Sequence, residues 1–128
     1  MKQFLMGFVI LGLVILGGGL IMRTAQAQEA NQQVYIVTHV DTFGGEKAAE
    51  AVKLLQQYVA DSKKDSGAIR IELVREPNRL NHFALIEVWR SRKDFEAHLD
   101  KPYTVGFRNK IQPILGGPFD ERLHVLLP

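Results

Sequence analysis

The sequence predicts an α+β fold of ferredoxin-like form, a βαββαβ chain making one four-stranded antiparallel sheet with helices on one face. Two kinds of hydrophobic spacing and one loop carry that prediction. Apolar residues alternate with period 2 over residues 34–40, 69–74, 83–89 and 123–127, and helical spacing follows the first and third of these stretches. Between the second and third stretches, Glu76-Pro77-Asn78-Arg79-Leu80-Asn81 has the proline and two asparagines of a hairpin loop.

In the first strand Val34, Ile36, Thr38 and Val40 share one side, with Tyr35, Val37 and His39 on the other. Asp41-Thr42-Phe43-Gly44-Gly45 turns the chain. From Glu46 to about Ser62 the stripe Ala48, Val52, Leu55 and Val59, with Leu54 and Tyr58 beside it, predicts a helix, and Gly67 reads as its stop. The second strand sets Ile69, Ile71 and Leu73 against Arg70, Glu72 and Val74. The third sets Phe83, Leu85, Glu87 and Trp89 against Ala84, Ile86 and Val88. Ser91 then stands at an N-cap position, with Asp94 completing an acidic variant of the capping box. Within the helix it opens, Phe95, His98 and Leu99 fall at i, i+3 and i+4 on the side that covers the sheet. Pro102 suits the first turn of a second short helix carrying Tyr103, Phe107 and Ile111 on one stripe, and Pro113, Gly116-Gly117 and Pro118 end it. Leu123, Val125 and Leu127 alternate in the last strand.

The face of the sheet turned away from the helices holds Ile86, Val88 and one side of the first strand, which is too apolar for solvent. A second subunit packing sheet to sheet would bury it. At ~25 cal/mol per Å² that burial is worth on the order of 10 kcal/mol before association costs, enough to favour a homodimer.

Residues 1–27 read as an export segment rather than as part of the domain. Lys2 is the basic start, Phe4 to Met22 is apolar, and Ala25-Gln26-Ala27 has the small-x-small form of a cleavage site after Ala27. The run at 4–22 is also long enough to anchor the chain in a membrane uncleaved, so either a periplasmic or secreted domain or an anchored one is expected, with membrane contact through this segment only. Residues 28–128 form the domain. Lys2 and Arg23 both fall in the export segment, leaving 14 basic residues against 14 acidic ones. The domain is neutral by this count, and the pI near 9.0 gives no case for nucleic-acid binding. The chain has no cysteine, hence neither disulfides nor thiol chemistry.

Chemistry concentrates in Asn81 to Leu99. One strand face carries a carboxylate and an indole side by side, Glu87 and Trp89, and the following helix turns His98 toward the same layer. Taken alone, His98 or Trp89 reads as a packing residue. Together with an acid that needs a partner once buried, they mark a candidate site. There is no glycine-rich phosphate loop, no glycine-flanked serine at a strand-to-helix elbow and no convincing metal-ligand spacing, so neither a metal nor a cofactor is expected.

The segment Asp65-Ser66-Gly67 before the second strand, Glu87-Val88-Trp89-Arg90-Ser91 at the end of the third, and Ala97-His98-Leu99 ahead of a second short helix resemble the antibiotic biosynthesis monooxygenase family. The resemblance spans roughly Val34 to Leu127. It implies a dimeric α+β barrel and a cavity between sheet and helices lined by the catalytic candidates His98, Glu87 and Trp89, with Phe83, Phe95, Tyr103 and Phe107 as substrate-binding walls. Members include cofactor-independent monooxygenases of quinols and polycyclic phenols, haem-degrading enzymes, and many with no assigned reaction. Where the haem-degrading branch has an Asn on the first strand and an axial His on the last helix, this chain has Thr38-His39 and Arg108-Asn109.

The expected activity is oxidation of a quinol or small phenolic aromatic by molecular oxygen, the substrate's own anion supplying the electrons. Passing a proton from a phenol near pKa 10 to an imidazole near 6.5 is uphill by about 3.5 units, or ~5 kcal/mol. A base in a dry pocket offsets part of this, here His98 oriented by Glu87, with Trp89, Phe95, Tyr103 and Phe107 stacking on a flat ligand. Two other readings fit the same residues: a non-catalytic exported dimer that binds a small aromatic or acts in stress response, and a haem-binding or haem-degrading protein.

Overall fold

The structure, a computed structural model, describes Ala27 and residues 31–128. The expected export segment 1–27, and the alternative membrane anchor at 4–22, lie outside the described residues, Ala27 excepted. The chain runs β1 (Val34–Thr42), α1 (Glu46–Ser62), β2 (Ala68–Arg75), β3 (His82–Trp89), α2 (Arg92–Leu99), α3 (Pro102–Ile111), a 3-10 turn (Gln112–Ile114) and β4 (Leu115–Val125). All strand pairs are antiparallel, in the order β2-β3-β1-β4, which is the predicted ferredoxin-like sheet.

The central pair β1 and β3 provides the floor of the core. Val34, Ile36, Thr38 and Val40 are all buried, as are Phe83, Leu85, Glu87 and Trp89 opposite them, as the alternation predicts. Two apolar clusters sit on this floor. One gathers Val40, Leu55, Leu85, Phe107 and Ile111; the other gathers Val34, Ile36, Ile71, Trp89 and Phe95. Along β3, Leu85 belongs to the first and Trp89 to the second, so Glu87 is the charged residue set where the two meet.

Four local expectations are corrected. The buried stripe of α1 is Ala48, Ala51, Leu55, Tyr58 and Ser62, so Tyr58 is central and Val52 and Val59 flank it. The phase follows the partners that Tyr58 finds in the interior, described below. Ile69 is exposed because β2 slips register between Ala68 and Arg70, one extra residue that turns Ile69 outward while Ala68 and Ile71 stay opposite Trp89 and Glu87. The last strand, expected over 123–127, runs from Leu115 to Val125, so Gly116-Gly117-Pro118 follows the end of the helix as expected but lies inside β4. That strand is an edge, where proline is tolerated, and its pairing slips between Val40 and Thr42; a Cβ on Gly116 would stand 3.1 Å from the Thr42 carbonyl. Gly67 is not a helix stop. A Cβ there would come within 2.3 Å of Asp94 Cβ, so the glycine lets α2 approach the loop before β2.

Candidate active site

Strand β3 places Glu87 and Trp89 two residues apart on one face, and the indole Nε1 donates to Glu87 Oε2 at 2.8 Å. Helix α1 lays Tyr58 across the same face, its hydroxyl 3.1 Å from Glu87 Oε1. The same hydroxyl lies 2.8 Å from His98 Nε2. Helix α2 delivers that histidine because Ser91 caps it, the hydroxyl accepting from Asp94 N and donating to Asp94 Oδ2. On the other side of the ring, Nδ1 faces Asp65 Oδ2 at 3.0 Å and the Tyr103 hydroxyl at 2.9 Å, while Tyr103 donates to the same Asp65 oxygen at 2.7 Å. Lys101 Nζ stands 3.6 Å from the second Asp65 oxygen. Four elements and one loop thus form a single polar chain, Trp89–Glu87–Tyr58–His98–Asp65–Tyr103.

Nearly all of it is dry. Glu87 and Trp89 are 0% exposed, His98 1% and Tyr58 2%. Rings enclose the imidazole, with Trp89 at 4.5 Å between centroids, Tyr58 at 5.6 Å, Tyr103 at 5.7 Å and Phe95 at 6.1 Å. The outlet is Asp65, whose side chain is 11% exposed beside Lys101.

Burial governs the proton affinities. It pushes the Glu87 carboxyl up to about 7, against the indole and Tyr58 hydroxyl, which favour the carboxylate. It holds His98 below the ordinary imidazole range even though Asp65 pulls the other way. Burial also acts to raise Asp65, but donors from Tyr103 and His98 and the Lys101 charge outweigh it and leave that carboxyl below its usual range. The Tyr58 and Tyr103 phenols are both raised, first by burial and then by the carboxylates near them. A half-buried ion pair, Arg108 to Glu121 at 2.6 Å, adds opposed charges beside Glu87 and Tyr58.

The three catalytic candidates read from the sequence therefore come together, though not as expected. Glu87 does not touch His98; Tyr58 stands between them, and Asp65 is the carboxylate that orients the ring. Phe95 and Tyr103 pack on His98, and Phe107 stacks on Tyr58 at 4.3 Å. Phe83 packs in the same apolar cluster as Tyr58 and Phe107, and lies four residues along β3 from Glu87, roughly 13 Å of strand. Tyr58 was legible only as part of a helical stripe, and Asp65 only as part of the Asp65-Ser66-Gly67 segment that carries the family resemblance; nothing local pairs it with His98, 33 residues away. As an iron ligand His98 does not fit, because both ring nitrogens are engaged and the side chain is sealed.

A cleft of about 220 Å³ between α1 and α3 reaches the chain from outside. Leu54, Gln57, Tyr58 and Asp61 of α1 and Pro102, Tyr103, Gly106, Phe107 and Lys110 of α3 line it.

Comparison with known proteins decides the family. The sequence matches the antibiotic biosynthesis monooxygenase profile over residues 25–110, two thirds of the chain. The chain belongs to the antibiotic biosynthesis monooxygenase family. The region matched by that family includes Tyr58, Asp65, Glu87, Trp89, His98, Tyr103 and Phe107, and stops before β4. Solved structures share the fold. A point mutant of SnoaB, a cofactor-independent oxygenase from Streptomyces nogalater, superposes with TM-score 0.66 at 20% identity, over 74% of this chain and 93% of that one. PA3566 from Pseudomonas aeruginosa gives 0.70 at 18%, over 77% and 98%, and Rv0793 from Mycobacterium tuberculosis 0.68 at 18%, over 76% and 97%. The uncharacterized protein sll1783 of Synechocystis is 27% identical over 79 residues; the match covers 62% of this chain and 54%, about half, of that relative.

Proposed function

We propose that this member of the family is an exported, cofactor-independent monooxygenase that oxidises a quinol or small phenolic aromatic with molecular oxygen. The observation that carries this reading is the buried chain from Trp89 to Tyr103 with the His98 imidazole at its centre. A dry base beside an aromatic cleft is what removal of a phenolic proton needs. The cleft between α1 and α3 suits a ring of this class, with Tyr58 and Phe107 at its wall and Tyr103 at its mouth.

The proton reaches His98 by way of Tyr58. Nδ1 is committed to Asp65, so only Nε2 takes a proton, and the atom next to Nε2 is the Tyr58 oxygen. The phenol gives its proton to that oxygen as Tyr58 passes its own to Nε2. Asp65 then stabilises the imidazolium, as the acid of a catalytic triad does. The substrate anion supplies the electrons that reduce oxygen; one oxygen atom stays in the quinone product and the other leaves as water. Trp89 and Phe95 pack the imidazole in place, while Phe107 meets the ring of the substrate.

The reading extends to assembly and location. A second copy covers the outer sheet face, where the half-buried Tyr35, Val37 and Ile86 form an apolar centre between the polar β2 and β4 edges, Val88 being buried already within one subunit, and the N-terminal segment carries the domain out of the cytoplasm. Intact mass of the exported protein, starting at Gln28 if cleaved, tests the last point.

An oxygen electrode tests the activity. Reduced naphthoquinones should give protein-dependent oxygen uptake, and His98→Ala should lower it by about 10²-fold or more. Full turnover in a folded His98→Ala protein removes the histidine from the reaction, and no uptake with any reduced quinone removes the activity.

A further inference from the structure

We infer that the Tyr58 hydroxyl makes Glu87 and His98 share one proton, so that the buried carboxylate and the imidazole act as a single base. Its use in catalysis rests on the function proposed above, but the proton sharing stands on hydrogen-bond accounting alone.

The accounting starts at the open end. Tyr103 donates its only hydroxyl proton to Asp65, and the Asp65 carboxylate can only accept. Both partners of His98 Nδ1 are therefore acceptors, and Nδ1 carries a proton. At the other end, Glu87 Oε2 is occupied by the indole N–H, leaving Oε1 for Tyr58. The Tyr58 oxygen has one proton to give and stands between Oε1 at 3.1 Å and Nε2 at 2.8 Å. If Glu87 is protonated, its O–H donates to Tyr58 and Tyr58 donates to Nε2. If Glu87 is ionised and His98 is an imidazolium, Nε2–H donates to Tyr58 and Tyr58 donates to Oε1. The two arrangements differ by one proton moved from Glu87 to His98, with Tyr58 giving one and receiving one, and the total charge is unchanged.

Both arrangements pair every polar atom. A second proton would aim two donors at Tyr58 while leaving its own hydroxyl without an acceptor, and removing the shared proton leaves one buried acceptor bare. The trio is thus best satisfied with one proton, and the form lacking it is the base that takes the substrate's. The elevated affinity of Glu87 and the depressed affinity of His98 agree with the carboxyl holding the shared proton at rest. The other charges facing the trio are Asp65, Arg108 and Lys101 acting on His98, and Arg108 and Glu121 acting on Glu87 and Tyr58. Tyr58 is by this account a coupling residue, which no local feature of the sequence announces.

Titration of the whole protein tests the sharing without any substrate. Ring 15N shifts of His98 and the carboxyl infrared band of Glu87 are followed against pH in the native protein, in Tyr58→Phe and in Glu87→Gln. The native signals should move together at one midpoint; in Tyr58→Phe, which keeps the stacking on Phe107, they should separate, and in Glu87→Gln His98 should titrate alone at lower pH. Two independent midpoints in the native protein, unchanged in Tyr58→Phe, overturn the proposal. In turnover, the rise of kcat/KM with pH should lie near neutrality and move to lower pH in Glu87→Gln. A coupled titration in a protein that consumes no oxygen would sink the monooxygenase reading and leave the shared proton standing; oxygen uptake with uncoupled titrations would do the reverse.

Discussion

At the scale of single residues, Glu87 is a buried acid whose proton affinity can be read in the protein's stability. A carboxyl wholly removed from water, with an affinity raised from 4.5 to about 7, binds its proton more tightly folded than unfolded. Its stabilising contribution is complete below the unfolded value and is lost as pH rises through the folded one. Glu87→Gln removes that dependence while keeping the size and an acceptor for the indole. The native protein should therefore lose stability relative to Glu87→Gln between about pH 4.5 and 7, by on the order of 3 kcal/mol in all. Paired urea titrations at pH 4.5 and 8 measure it, and a constant difference between the two proteins would place the carboxyl in water. The residues beside Glu87 explain why it is tolerated: an indole and a phenol satisfy its two oxygens, so burial costs it charge but not hydrogen bonds.

At the scale of elements, the site depends on how closely α2 meets the loop before β2. Asp94 serves as N3 partner to the Ser91 cap and is gripped by Arg90, its Oδ1 at 2.8 Å from the guanidinium, while its Cβ fills the space a side chain on Gly67 would need. Gly67→Ala must displace Asp94, weakening the cap and shifting the helix that carries His98. A loss of about 1–3 kcal/mol is expected. Gly106, inside α3 with open space around its absent Cβ, should behave oppositely, Gly106→Ala gaining up to ~1 kcal/mol from helix propensity. Denaturant midpoints of the two variants should move in opposite directions. Gly45 is a third case, at φ 61° ahead of α1, a backbone conformation that glycine adopts without strain.

At the scale of the whole molecule, the sheet has one face closed by helices and one that is apolar at its centre and polar at its edges. Val37 and Ile86 are direct neighbours across β1 and β3 on that outer face, flanked by Glu72 on β2 and Arg122 on β4. Ile86→Arg puts a charge in the middle of the proposed dimer contact without touching the helical side. It should convert a dimer to a monomer in sedimentation, and an unchanged sedimentation coefficient would mean that the two copies meet elsewhere or not at all. Because Glu87 is the next residue on β3, any effect of the same variant on oxygen uptake would show that the dimer contact steadies the strand beneath the site.

By itself the sequence determined the order of elements, the inward faces of β1 and β3, the cap at Ser91 and the company of Glu87, Trp89 and His98. These follow from local spacing, and side-chain periodicity is a local property. Only the tertiary structure decided that Tyr58 separates the acid from the imidazole and that Asp65 orients the ring. Those facts depend on which elements pack together and at what phase, and a hydrogen bond between residues 33 or 40 positions apart leaves no mark on the spacing near either one. The course of β4 through Gly116-Gly117-Pro118 was hidden for a related reason, since breaker residues stop a strand in the middle of a sheet but not at its edge.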